Sequence, residues 1–121
     1  MNIVIVWASN NPNKFWYKII SNLLSKWINI IPINPKETVI QGLKVYKDIN
    51  EITQKFNIVN FVLKPKIVLN ILKENKLLLK SKILWFQPWS SNLEIKDFLE
   101  KNNFKKIILD SCIMIENIKD L

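Results

Sequence analysis

The chain has no histidine, one cysteine and one glycine in 121 residues. Arginine is missing too, so all eighteen basic residues are lysine, and alanine occurs once. These absences close off whole classes of chemistry. Without histidine, neither a zinc site nor a Cys/His nucleophilic pair has its usual parts, and Cys112 alone cannot form an internal disulfide. No apolar run approaches the roughly 18 residues of a membrane span, and the N-terminus lacks a basic region followed by a small-residue cleavage site. Cytoplasm, with no membrane partner, is the expected setting. The net charge of +8 is spread from Lys14 to Lys119 and carries no arginine for bidentate contacts to phosphate or guanine, so no specific nucleic-acid partner is expected. Diffuse charge of this kind supports only weak, salt-sensitive binding.

What is present is globular: 49% hydrophobic and 23% charged residues with no low-complexity tract, read as one domain over 1–121. The abundance of Lys, Asn and Ile fits the drift of an AT-rich genome. Short apolar, β-branched runs alternate with amphipathic segments. Strands are expected at Ile3–Val6, Ile28–Ile31, Ile58–Leu63, Ile83–Phe86 and Ile107–Leu109, with a short extended piece at Lys44–Tyr46. Helices are expected at Lys14–Lys26, Ile49–Lys55, Pro65–Lys76 and Asn92–Asn102, with proline opening the third and Ser91 or Asn92 capping the fourth. This order implies an α/β, doubly wound, mainly parallel five-stranded sheet of Rossmann-like type, with helices on both faces.

Ligands of such sheets sit outside the carboxyl ends of the strands, so the loops after each strand are the candidate site. After the first strand, ASNNPNK offers Ala8, Ser9, Asn10 and Asn11, backbone amides at a helix N-terminus, and Lys14 in the first turn. Together these can hold a pyrophosphate. The second strand leads into Asn34, Pro35 and Lys36. An NAD site wants an acidic side chain there to accept from the ribose hydroxyls, whereas Lys36 suits a phosphorylated ribose. That means coenzyme A with its 3′-phosphate, or NADP with its 2′-phosphate.

NIVIVWASNNPNKFWYKI, INIIPINPKE, QGLKVYKDI, WFQPWS and the closing CIMIEN occur in this order. In that arrangement the chain resembles the family of small stand-alone CoA-binding domains and, more distantly, the CoA-binding domain of the succinyl-CoA ligase alpha subunit. The resemblance runs from about Asn2 to Asn117. It implies a Rossmann-like domain that binds coenzyme A or an acyl-CoA at the strand ends, with no established catalytic activity for the stand-alone proteins. It places the phosphate cradle on Trp7, Ala8, Ser9, Asn10, Asn11 and Lys14, and sets Asn34, Pro35 and Lys36 near the ribose and its phosphate. Leu63, Lys64 and Pro65 fall beside the adenine or the pantetheine. Cys112 falls near the pantetheine end, where a mixed disulfide with CoA is one reading and a buried small apolar residue the other. Lys64 or Lys66, if close, would lower its pKa.

The same resemblance sets glycine at four positions where this chain has tryptophan: Trp7, Trp16, Trp27 and Trp89. Glycine suits a turn that admits phosphate at 7, close helix–sheet packing at 16, a left-handed helix end at 27 and a tight turn at 89. Trp85, inside the fourth strand, is in keeping with the family. Average proteins carry roughly 7% glycine, so one glycine beside five tryptophans is anomalous. A UGA codon read as glycine by the organism but translated as tryptophan accounts for it. The other reading is a diverged relative with genuine tryptophans and a decayed pocket. As to alternatives in function, an NADP-dependent reductase or an acyl-CoA synthetase fragment would need a carboxylate pair or a substrate domain that the sequence does not display.

Overall fold

Successive side chains of a strand point to opposite faces, so a strand apolar at every position must be covered on both. The computed structural model, which describes residues 2–7, 11, 13–109 and 111–114, meets that demand with a sheet between two helical layers. Its elements run β1 (Asn2–Val6), α1 (Phe15–Ser25), β2 (Asn29–Ile33), β3 (Val39–Ile40), β4 (Leu43–Lys44), a 3-10 turn at Ile49–Glu51 and β5 (Ile58–Phe61). There follow α2 (Pro65–Glu74), α3 (Lys76–Leu79), β6 (Ile83–Phe86), α4 (Leu93–Lys101) and β7 (Ile107–Ile108). The main sheet is parallel, in the order β2-β1-β5-β6-β7. The strand order reverses between β1 and β5, and that is the switch point of the fold.

Alternation divides the core. Val4, Val6, Val59, Phe61, Leu84 and Phe86 meet Val68, Leu72, Leu79, Ile95 and Leu99 of α2, α3 and α4. Ile3, Ile5, Ile58 and Trp85 meet Ile19, Ile20 and Leu23 of α1, together with Ile113. Pro32 sits inside β2 without disrupting it, because β2 is an edge strand of this sheet. The Tyr46 amide donates to the Pro32 carbonyl at 3.1 Å and the Asn34 amide to the Tyr46 carbonyl at 3.0 Å, so the side of Pro32 that lacks an N–H faces away from β1.

The five strands and three of the four expected helices are present, with shifted ends. Strand two starts at Asn29 and runs on through Pro32 to Ile33, and strand three stops at Phe61. Between Ile49 and Lys55 the expected helix is a single 3-10 turn, capped by Asp48 Oδ1, which accepts from the Asn50 amide at 2.9 Å. Helix Pro65–Lys76 breaks at Asn75, whose Nδ2 donates back to the Ile71 carbonyl at 2.9 Å. The extended piece expected at Lys44–Tyr46 is instead β4, one residue earlier, which pairs with β3 in a hairpin turned by Gln41 and Gly42 with φ of 49° and 79°.

Two helices end in the same way. After α1 the Trp27 amide donates to the Leu24 carbonyl and the Ile28 amide to the Leu23 carbonyl; after α4 the Asn103 amide donates to Glu100 and the Phe104 amide to Leu99. Both are Schellman ends, which require a left-handed residue just past the cap. That residue is Asn103 at φ 60° in one and Trp27 at φ 62° in the other. Asparagine tolerates the conformation, but tryptophan incurs about 1–2 kcal/mol. The Trp27 indole is 92% exposed and returns no packing. Trp27→Gly should therefore stabilise the fold by about 0.5–1 kcal/mol after the entropy of glycine is subtracted. Asn103→Gly should change stability by only a few tenths, and urea unfolding midpoints of the two variants will show the difference.

Candidate functional site

The carboxyl ends of β1, β5 and β6 open onto a cavity of about 390 Å³ lined by Trp7, Trp16, Val62, Leu63, Lys64, Ile67 and Trp89. On the other side of Trp7 lies a second cavity of about 170 Å³, lined by Val6, Trp7, Ile33, Lys47, Asp48, Ile49, Ile71, Glu74 and Asn75. The two flank the switch point, and Trp7 is common to both. Its backbone has φ 69°, the turn with which the chain leaves β1.

Two helices begin at this edge. α1 and α2 follow the N-cap residues Lys14 and Lys64, and among the described residues neither N-terminus has a side-chain cap or an acidic residue in its first turn. By contrast, α4 is capped by Asn92 Oδ1, which accepts from the Ile95 amide at 2.9 Å, and carries Glu94 in its first turn. The positive dipole ends of α1 and α2 suit an anion, although at α2 Pro65 has no N–H and the Ile67 amide donates to the Lys64 carbonyl at 3.0 Å.

Of the residues singled out from the sequence, Trp7 and Lys64 line the main cavity, and Pro65 opens α2 beside it. Ala8, Ser9 and Asn10 lie outside the described residues, as do Asp110 and residues 115–121 of the closing segment. Asn11 shapes the turn: its Oδ1 accepts from the Asn13 amide at 3.0 Å and its carbonyl from the Lys14 amide at 2.9 Å. Lys14 is exposed, with Nζ 5.8 Å from the centre of the Trp16 ring. Asn34 is buried, and its Oδ1 accepts from the amides of Lys36 at 2.8 Å and Glu37 at 3.3 Å. It holds the turn that presents Pro35 and Lys36, both exposed. Neither lines the two cavities.

Sequence reasoning missed the second cavity. Its polar rim comes from Lys47 and Asp48, and from Asn75 at the helix break, whose Oδ1 accepts from Asn50 Nδ2 at 2.7 Å. A usable signal was Asp48 before Ile49, a capping residue at a chain reversal.

Cys112 is half-buried beside the end of β6, where Gln87 Nε2 donates to its Sγ at 3.5 Å. Gln87 is fully buried, and its Oε1 accepts from the Ile113 amide at 3.0 Å. Trp85 Nε1 donates to the Ser111 carbonyl at 2.7 Å, and Lys26 Nζ donates to the Met114 carbonyl. These bonds clasp 111–114 to the sheet. Among the described residues, both amide atoms of Asn60 and the hydroxyl of Ser90 are buried without hydrogen-bond partners.

Comparison with known proteins places the chain in a family. A CoA binding domain model matches residues 1–118, and the chain belongs to that family. It is 33% identical over 73 residues to the alpha subunit of ADP-forming acetate–CoA ligase II of Pyrococcus furiosus. The match takes in 60% of this chain but spans only 16% of that subunit. Among solved structures, a conserved hypothetical protein of Pyrococcus furiosus is similar at TM-score 0.88 and 38% identity, over 96% of this chain and 98% of that one. A hypothetical protein of Pyrococcus horikoshii is similar at TM-score 0.81 and 26% identity, over 93% and 78%. A dinucleotide-forming acetyl-coenzyme A synthetase of Ca. Korarchaeum cryptofilum shares the fold at TM-score 0.67 and 23% identity, over 84% of this chain and 23% of that one.

The clasp is testable. Gln87→Leu leaves the buried Ile113 amide without its acceptor and should destabilise the protein by about 1–3 kcal/mol. Faster amide exchange at Ile113 than elsewhere in the core should accompany the loss.

Proposed function

We propose that this chain binds coenzyme A, or an acyl-CoA, across the carboxyl edge of its sheet as a cytoplasmic binding domain without catalysis of its own. The observation that carries this reading is the cavity at the switch point, flanked by two helix N-termini that no side chain caps. The pyrophosphate belongs at the start of α1, over Trp7, Ala8, Ser9, Asn10, Asn11 and Lys14. The adenosine runs toward the second cavity, with Lys36 reaching the 3′-phosphate from its exposed turn. The pantetheine follows Lys64 and Pro65 along the main cavity, whose Val62, Leu63 and Ile67 suit its apolar stretches. The family match over residues 1–118 supports the ligand class, and the related ligase subunit supports an acyl-CoA as a variant of it.

CoA should raise the thermal midpoint, by mass action on the folded state, and NADP should not. Stabilisation by NADP instead would favour a reductase. Lys36→Ala separates the phosphates. It should weaken CoA by about 1–2 kcal/mol, the lower part of the range for hydrogen bonds to charged groups because the side chain is exposed. Dephospho-CoA should be nearly indifferent. Lys14→Ala, aimed at the pyrophosphate common to both, should weaken the two about equally. Calorimetric titration of both ligands checks the pattern, and an equal loss of both at Lys36→Ala would refute that assignment.

A further inference from the structure

We infer that positions 7, 16, 27 and 89 are glycine in the working protein, encoded by UGA codons that its lineage reads as glycine, and that the two cavities are then one cleft. The cleft rests on the CoA reading above; the identity of the four residues does not.

The five tryptophans behave as two different populations. Trp85 is what a tryptophan should be: 1% exposed, packed between sheet and helix, its indole nitrogen hydrogen-bonded to the Ser111 carbonyl. None of the other four belongs to the buried core. Trp7 and Trp27 hold left-handed backbone, at φ 69° and 62°, which a bulky side chain adopts only under strain. Trp27 leaves its indole 92% in solvent, at a helix end whose counterpart after α4 uses asparagine. Trp16 buries its indole N–H without an acceptor among the described residues. Trp89 is 46% exposed, in the turn after Pro88, with its ring edge-on to Phe15.

Three of the four also converge on one place. Trp7, Trp16 and Trp89 line the cavity at the switch point, and Trp7 lines its neighbour as well, so it is the residue the two cavities share. Glycine at 7 removes the strain and takes an indole away from the residue that both cavities share; glycine at 16 and 89 widens the space there. A chain with one glycine in 121 residues thereby regains glycine at 7 and 27, where its own backbone is left-handed. Tryptophan's own codon is UGG, and UGA lies one base from it and one base from the glycine codon GGA. A single decoding difference therefore accounts for all four positions together and leaves Trp85, read from UGG, untouched.

The gene and the natural protein test this first. UGA is expected at codons 7, 16, 27 and 89 and UGG at codon 85, and peptides of the protein from its own cells should weigh as glycine at the four positions. UGG at those codons, or tryptophan in those peptides, overturns the inference whatever the protein binds. Recombinant chains carrying glycine or tryptophan at all four positions then test the cleft. The glycine chain should melt higher by about 5 °C or more and bind CoA roughly tenfold tighter or better, the scale of relieving an overpacked, strained site. Glycine in the natural peptides with no CoA binding by the glycine chain would overturn the CoA cleft and leave the residue assignment standing.

Discussion

β1 is paired on both edges and buried on both faces, and most of this molecule follows from that confinement. A strand so enclosed can be left only at its ends. At the carboxyl end the chain must turn within a residue or two to place α1 across one face of the sheet. The turn is made at position 7, in left-handed backbone. Because β2 then returns on one side and β5 on the other, the loops beyond β1 and β5 diverge, and the space between them is the main cavity. The site is thus a by-product of topology before any side chain is chosen. Side chains decide what fills it.

Among the described residues, this edge has features that suit an anion. Two helix N-termini meet here with lysines at their N-caps, and the side chains lining the main cavity between them are mostly apolar. Asn34 shows how polar groups are used nearby. Its carboxamide oxygen accepts two amides of its own loop, so it acts as a brace for the turn that carries Lys36. The brace fixes where the charge of Lys36 is offered while leaving the ammonium in water, so the cost of burying a lysine is avoided.

The strands were legible because their signal is a continuous apolar run that only a doubly covered sheet can use, as at Ile3–Val6 and Ile83–Phe86. The hairpin of β3 and β4 was not. Each strand has two residues, too few for alternation to register, and its turn is Gln-Gly where Asn-Gly would have announced it. The break at Asn75 was hidden because the apolar period continues through Leu72 and Leu79; a side chain bonding back to Ile71 decides it, and no periodicity records that. The first cavity could be anticipated from the loops after the strands. The second could not, since Lys47, Asp48 and Asn75 come from a connection and a helix break.

The tryptophans divide along the same line. Composition exposed an excess of one residue and a dearth of another, but a count has no location. The backbone supplies locations independently of residue type: a Schellman end needs its left-handed residue whether asparagine or tryptophan occupies it, and α1 and α4 make the same pair of hydrogen bonds with either. The fold's demand is therefore constant while the residue that meets it varies. Where a demand for φ near +60° meets the side chain least suited to it at two separate turns, while the tryptophan inside β6 is seated and hydrogen-bonded, the misfit is local to those turns and not a property of the fold.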